Sequence, residues 1–190
     1  MVTLVIGLFI FLGIHSLRII SDAGRRAAIR RIGEMRFKGA YSVLSLVGLL
    51  LLVWGYGWAR AGQGVVYDPI AGARHLALLL VPVGFVLVAA AYAPTGHIKK
   101  AVRHPMVLGV ALWALGHLLA NGGTADVVLF GAFLVWAVLD YLNSLGRTAP
   151  VLAETPRATG DVAALAAGLV ASAIFLGGLH AWLFGVSPLA

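Results

Sequence analysis

Six apolar runs alternate with short polar clusters along the chain: about Val2–Ile20, Ala40–Ala59, Leu76–Ala93, Pro105–Ala120, Asp126–Leu142 and Val162–Phe184. The hydrocarbon core of a bilayer is about 30 Å thick and takes about 20 apolar residues as a helix. The pattern therefore predicts an all-α, polytopic membrane bundle of six transmembrane helices. The fourth and fifth runs are short, and Asn121, Gly122, Gly123 and Thr124 turn one into the other, which predicts a tight helical hairpin. The first run lacks a basic leader and a small-residue cleavage site, and its positive charges follow it, so it reads as a retained helix. No soluble domain, linker or repeat stands out, and residues 1–190 read as one transmembrane domain.

Composition sharpens this picture. Of 190 residues, 61% are hydrophobic and 11% charged, against about 45–50% and about 25% in soluble domains. The net charge of +7 would suggest nucleic acid in a soluble protein. Here the cations sit in alternate connections. Arg18, Arg25, Arg26, Arg30, Arg31, Arg36 and Lys38 follow the first run, Lys99, Lys100 and Arg103 the third, and Arg147 and Arg157 the fifth. Only Arg60 and Arg74 lie on the other side. The positive-inside rule then puts both termini outside and the three basic connections in the cytoplasm, with no nucleic-acid partner. The absence of Cys excludes disulfides, thiolate metal sites and thiol nucleophiles.

Several segments carry finer expectations. Asp22–Lys38 reads as a solvated basic loop. The alternative is a basic helix on the anionic leaflet, with Ala28, Ile32 and Met35 as a narrow apolar stripe. Trp54, Tyr56 and Trp58 read as an interfacial aromatic belt. In the last run, Ala163, Ala167 and Ala171 lie beside Ala164, Gly168 and Ser172, small residues at a spacing that lets helices approach closely.

The candidate chemistry lies in six histidines. An ionisable group inside a membrane span is a functional hypothesis by default. His15, His117 and His180 fall within runs, whereas His75, His97 and His104 sit at their ends. Zinc would need about four clustered ligands, and the chain has no HxxxH or HExxH pattern. Haem needs one or two axial imidazoles, apolar walls and cations for its propionates. A histidine that only bonds a neighbouring helix is the plain alternative for each.

Three local settings bear on that choice. His15 and Arg18 are three apart and are expected on one helix face, with Arg18 at the boundary toward a propionate or a lipid phosphate. Trp113, His117 and Asn121 are spaced by four along another face, with Gly109 and Gly116 removing bulk nearby. Arg103-His104-Pro105-Met106 marks a helix start, with Pro105 at the first helical position. Arg103, His104, Lys99 and Lys100 there would meet haem propionates, a phosphate-bearing ligand or lipid headgroups. At ~1.5 Å per residue, His15 lies roughly 8 Å from the inner end of its run and His117 about 18 Å from the start of its own. That arithmetic makes His15 with His104 a rival pair.

The stretches Gly13–Arg18, Gly39–Tyr56, Arg103–Asn121 and Ala125–Asp140 resemble the NnrU family of bacterial membrane proteins, over about Met1–Asp140. That family is associated with denitrification, in particular nitrite and nitric oxide reduction. It is also similar to plant and cyanobacterial 15-cis-zeta-carotene isomerase, a membrane haem b enzyme that isomerises a polyene double bond with ferrous iron. The isomerase histidine in an HSGLASLR-like segment matches His15, and its WCLAH histidine matches His117. The resemblance thus implies haem b on His15 and His117, with His104 near the site, and nitric oxide or a polyene as ligand. Where the isomerase has a Cys thought to serve as an alternate iron ligand, this chain has Ala114.

Two other functions compete. Arg103-His104-Pro105-Met106 with Leu108-Gly109 resembles the RHPxYxG motif of membrane isoprenylcysteine and phospholipid methyltransferases, which implies S-adenosylmethionine. Val107 replaces the motif Tyr, and Asp140–Gly146 offers one acid where those enzymes often carry a Glu pair. The other is a non-catalytic maturation factor for a respiratory reductase.

Overall fold

The computed structural model describes residues 1–147 and 154–189. Its helices are α1 (Val2–His15), α2 (Leu17–Ile32), α3 (Glu34–Ala61), α4 (Ala73–Tyr92), α5 (His97–Val102), α6 (Pro105–Ala120), α7 (Thr124–Leu145), α8 (Ala158–Ile174) and α9 (His180–Phe184). A π-turn over Phe175–Leu179 joins α8 to α9. Among the described residues there is no strand, only an isolated bridge between Val65 and Gly123. Four helical spans are long and apolar enough to cross a membrane: Glu34–Ala61, Ala73–Tyr92, Thr124–Leu145 and Ala158–Phe184. Val2–His15 and Leu17–Ile32 form a fifth if the pair, bent by 55°, counts as one. Pro105–Ala120 is apolar but shorter.

Two boundaries correct the sequence expectations. The first helix stops at His15 rather than running on to Ile20. Helical bonding nonetheless runs through Ser16, whose N–H and hydroxyl both donate to the Leu12 carbonyl at 2.8 and 2.6 Å, and the backbone leaves the helical region at Ser21, with φ of −157° and ψ of 91°. Arg18 belongs to α2, not to the helix of His15, and lies 3.9 Å from Asp22. The second correction is that Asp22–Lys38, expected as a solvated loop, is helical through α2 and the start of α3. Asp22 pairs with Arg18, Arg25 and Arg26 at helical spacing, and Glu34 pairs with Lys38 at 2.7 Å. Such i,i+3 and i,i+4 pairs are the local support that a polar helix needs.

The chain divides into two compact units, Met1–Asp68 with Gly122–Trp136, and Pro69–Asn121 with Ala137–Ala190. In the first, α1 packs on α3 backbone against backbone. A side chain at Gly7 would meet Leu52 N at 2.6 Å, and one at Gly48 would meet Phe11 N at 2.8 Å. Lipid tails are as apolar as leucine, so close backbone approach and not hydrophobic burial holds membrane helices together. Leu4, Leu8, Leu52, Ala59 and Ala125 form the core of this unit. Its polar anchor is Asp126, 4% exposed, which accepts Tyr56 Oη at 2.5 Å and Gln63 Nε2 at 3.1 Å. Tyr56 thus faces inward, whereas Trp54 and Trp58 are exposed, so only these two of the expected aromatic belt lie on the outer face.

In the second unit α4 packs on both α6 and α8. Gly84 and Gly109 face each other so closely that a side chain on Gly109 would meet Gly84 O at 2.6 Å. Along α8 the buried row is Gly160, Ala164, Gly168 and Ser172, whereas Ala163 and Ala167 are exposed. Of the two small-residue rows in the sequence, one packs. Asp161 caps α5, accepting the backbone N–H of His97 and Ile98 at 3.0 and 2.9 Å and His97 Nδ1 at 2.7 Å.

Candidate functional site

In the first unit His15 is the last residue of α1 and half-buried. Its Nδ1 donates to the carbonyl of Phe11, one turn back, at 2.6 Å. A carbonyl only accepts, so the proton sits on Nδ1 and the lone pair on Nε2. The ring lies 4.3 Å from Phe11, and edge-on to Tyr41 at 5.3 Å and Trp136 at 6.2 Å. Trp136 Nε1 is buried with no hydrogen-bond partner among the described residues. An indole N–H can only donate, and a buried donor left unmade is costly.

His117 in the second unit repeats the arrangement. Its Nδ1 donates to Trp113 O, again one turn back, at 2.8 Å, and the two rings are 5.0 Å apart. Asn121 closes α6, donating through Nδ2 to His117 O at 2.9 Å. The expected face of Trp113, His117 and Asn121 is therefore assembled. Sequence reasoning gave His180 no role, yet its ring lies 6.4 Å from that of His117, centroid to centroid, with the planes 25° apart. His180 Nδ1 donates to Val186 O at 2.7 Å, and Phe184 lies 5.0 Å away. The available signal was Gly177-Gly178 just before it, which interrupts an apolar run.

His104 is built differently. Pro105 takes the first helical position of α6 as expected, and His104 precedes it as the cap residue. The His104 Nε2 donates to Ser144 O at 3.0 Å, while Tyr141 Oη donates to Val102 O at 3.2 Å. These bonds tie the start of α6 to the end of α7. Arg103 has φ of 61°, a conformation rare outside glycine. With Lys99, His104 and Met106 it lines an open cavity of about 230 Å³. Lys99 is already engaged, its Nζ donating to Ala91 O and Ala93 O at 2.9 and 3.1 Å.

Among the described residues no group of three or more His, Cys, Asp or Glu gathers as a metal site. His15 belongs to the first unit, and His117, His180, Arg103 and His104 to the second. A family model described as "NnrU protein" matches residues 3–188, nearly the whole chain. No curated protein and no solved structure matches it.

Proposed function

Because the chain belongs to the NnrU family, we propose that it is a haem b-binding protein of the bacterial inner membrane. In this reading it has six helical crossings, both termini outside and its three basic connections in the cytoplasm. The observation that carries the proposal is the repeated arrangement at His15 and His117. Each imidazole donates Nδ1–H to the carbonyl of an aromatic residue one turn earlier and lies tilted beside that ring. Metal-ligating histidines are oriented in this way, the second nitrogen fixing the tautomer and leaving Nε2 as the ligand. Haem brings four nitrogens of its own and asks the protein for one or two more. That suits a chain whose described histidines do not gather in threes.

When bound, such a haem supplies a ferrous iron that takes nitric oxide or polarises a polyene double bond. Nitric oxide and a polyene are the ligand classes that the resemblance supplies, and a respiratory reductase is the partner class. The methyl-transfer reading draws less support. His104 spends its Nε2 on Ser144, and the adjoining cavity of about 230 Å³ is below the ~300–1,000 Å³ of small-molecule sites. Titration of the detergent-purified protein with haem tests the proposal. Saturable binding that His117→Ala weakens at least tenfold is the expected result. Equal binding by both proteins would overturn His117 as a ligand.

A further inference from the structure

Close contacts fix the register of α1 against α3. A side chain at Gly7 would meet Leu52, one at Gly48 would meet Phe11, and one at Gly55 would meet Leu4. Each step along α1 is thus matched by one step back along α3. Helical bonding continues past His15 to Ile20, whose N–H donates to Ser16 O at 2.9 Å. Carried on, the register brings Ile19 level with Ala40 and Ser21 level with Lys38. Ala40 opens the apolar run of α3, Ala40–Ala59, which at about 1.5 Å per residue spans about 30 Å, the thickness of the hydrocarbon core. On that match the break at Ser21 falls at the edge of the hydrocarbon, where water can serve the backbone groups it exposes.

Beyond the break the chain starts a fresh helix. Ser21 Oγ accepts the Gly24 N–H at 2.9 Å, as a helix N-cap does, Asp22 follows in the first turn, and Gly33 closes the helix with φ of 85°. The Arg25 guanidinium lies over the Phe37 ring at 5.9 Å, which holds this helix to the start of α3. None of its side chains is buried. Asp22 pairs with Arg18, Arg25 and Arg26. Arg30 and Arg31 are exposed, and neither pairs with a carboxylate among the described residues. Beside them Ile32 and Met35 are 43 and 80% exposed. Met35 precedes the apolar run of α3, so contact with the hydrocarbon core does not account for its exposure. Unpaired guanidinium groups next to exposed apolar side chains match the boundary between headgroups and acyl chains. Basic segments beside a membrane span are drawn to anionic lipid, and α1 tethers this one where such lipid is already within reach.

We propose that residues 22–32 lie along the membrane surface and that Arg30 and Arg31 bind the phosphates of anionic lipid headgroups, with Ile32 and Met35 at the acyl boundary. This goes beyond the haem reading and does not depend on it. The test uses the full-length protein in nanodiscs, with an environment-sensitive fluorophore on Ala27→Cys, an exposed position in a chain that otherwise has no Cys. In discs containing phosphatidylglycerol, a nitroxide on the lipid headgroup should quench the fluorophore more strongly than aqueous acrylamide does. In discs of phosphatidylcholine alone, or in high salt, that preference should reverse. Arg30→Gln with Arg31→Gln should lose the lipid quenching while helix content by circular dichroism stays unchanged, and the paired Lys replacements should keep it. Acrylamide quenching that dominates in the anionic discs overturns the surface docking and leaves this face to water or to a protein partner. Lipid quenching of equal strength in both kinds of disc, or undiminished by the paired Gln replacements, overturns recognition by charge.

Discussion

At the scale of single residues, glycine does most of the packing here, and its roles differ by position. Gly109 faces the Gly84 carbonyl, where an added methyl would lie 2.6 Å from oxygen, whereas Gly57 in α3 faces nothing within 4 Å. Gly109→Ala is expected to lower stability by about 1–3 kcal/mol through overpacking between backbones. Gly57→Ala should be neutral or stabilising by up to about 1 kcal/mol, since alanine favours the helix. Thermal unfolding in detergent compares the two, and equal effects would refute the close α4–α6 approach. Little of this packing was legible in the sequence. The sequence showed two small-residue rows on the last helix, and only three-dimensional packing singled out Gly160, Ala164, Gly168 and Ser172. Tyr56 shows the same limit. It sits between two exposed tryptophans and shares their amphipathic character, yet the buried carboxylate of Asp126, 70 residues on, turns it inward.

At the scale of elements, hydropathy located the helices well where a polar residue ends the apolar run. Pro105–Ala120 is the expected helix to the residue, because Pro105 and Asn121 punctuate it. Hydropathy missed the bend between α1 and α2, where Leu17, Ile19 and Ile20 keep the run apolar up to Ser21, whose backbone leaves the helical region. Window averages cannot see a break made in the backbone of a single serine. The same blindness hid the π-turn at Phe175–Leu179, which leaves composition unchanged. Because the chain has no Cys, single cysteines report each connection cleanly. Placed at Arg36 or Ala101, both exposed, one should resist a membrane-impermeant maleimide in intact spheroplasts and react after lysis. Placed at Gly62, one should react from outside. The reverse pattern would invert the orientation that the basic connections imply.

For the whole molecule, family and class were legible because they depend on sums: apolar content, loop charge and motifs spread over the chain. The candidate site was legible only in part. The motifs singled out His15 and His117, and in the structure each has Nδ1 held by a carbonyl one turn back, the arrangement on which the haem proposal rests. The approach of the His180 ring to within 6.4 Å of that of His117 joins residues distant in sequence, which no local pattern encodes. Whether these imidazoles serve a haem is decided by absorption spectra of the protein purified in detergent after haem-supplemented expression, oxidised and then reduced. A haem-bearing protein shows a Soret band that shifts on reduction, with sharp α and β bands in the reduced form, and that is the expected result. A protein that is folded, monodisperse and colourless across that region would contradict it.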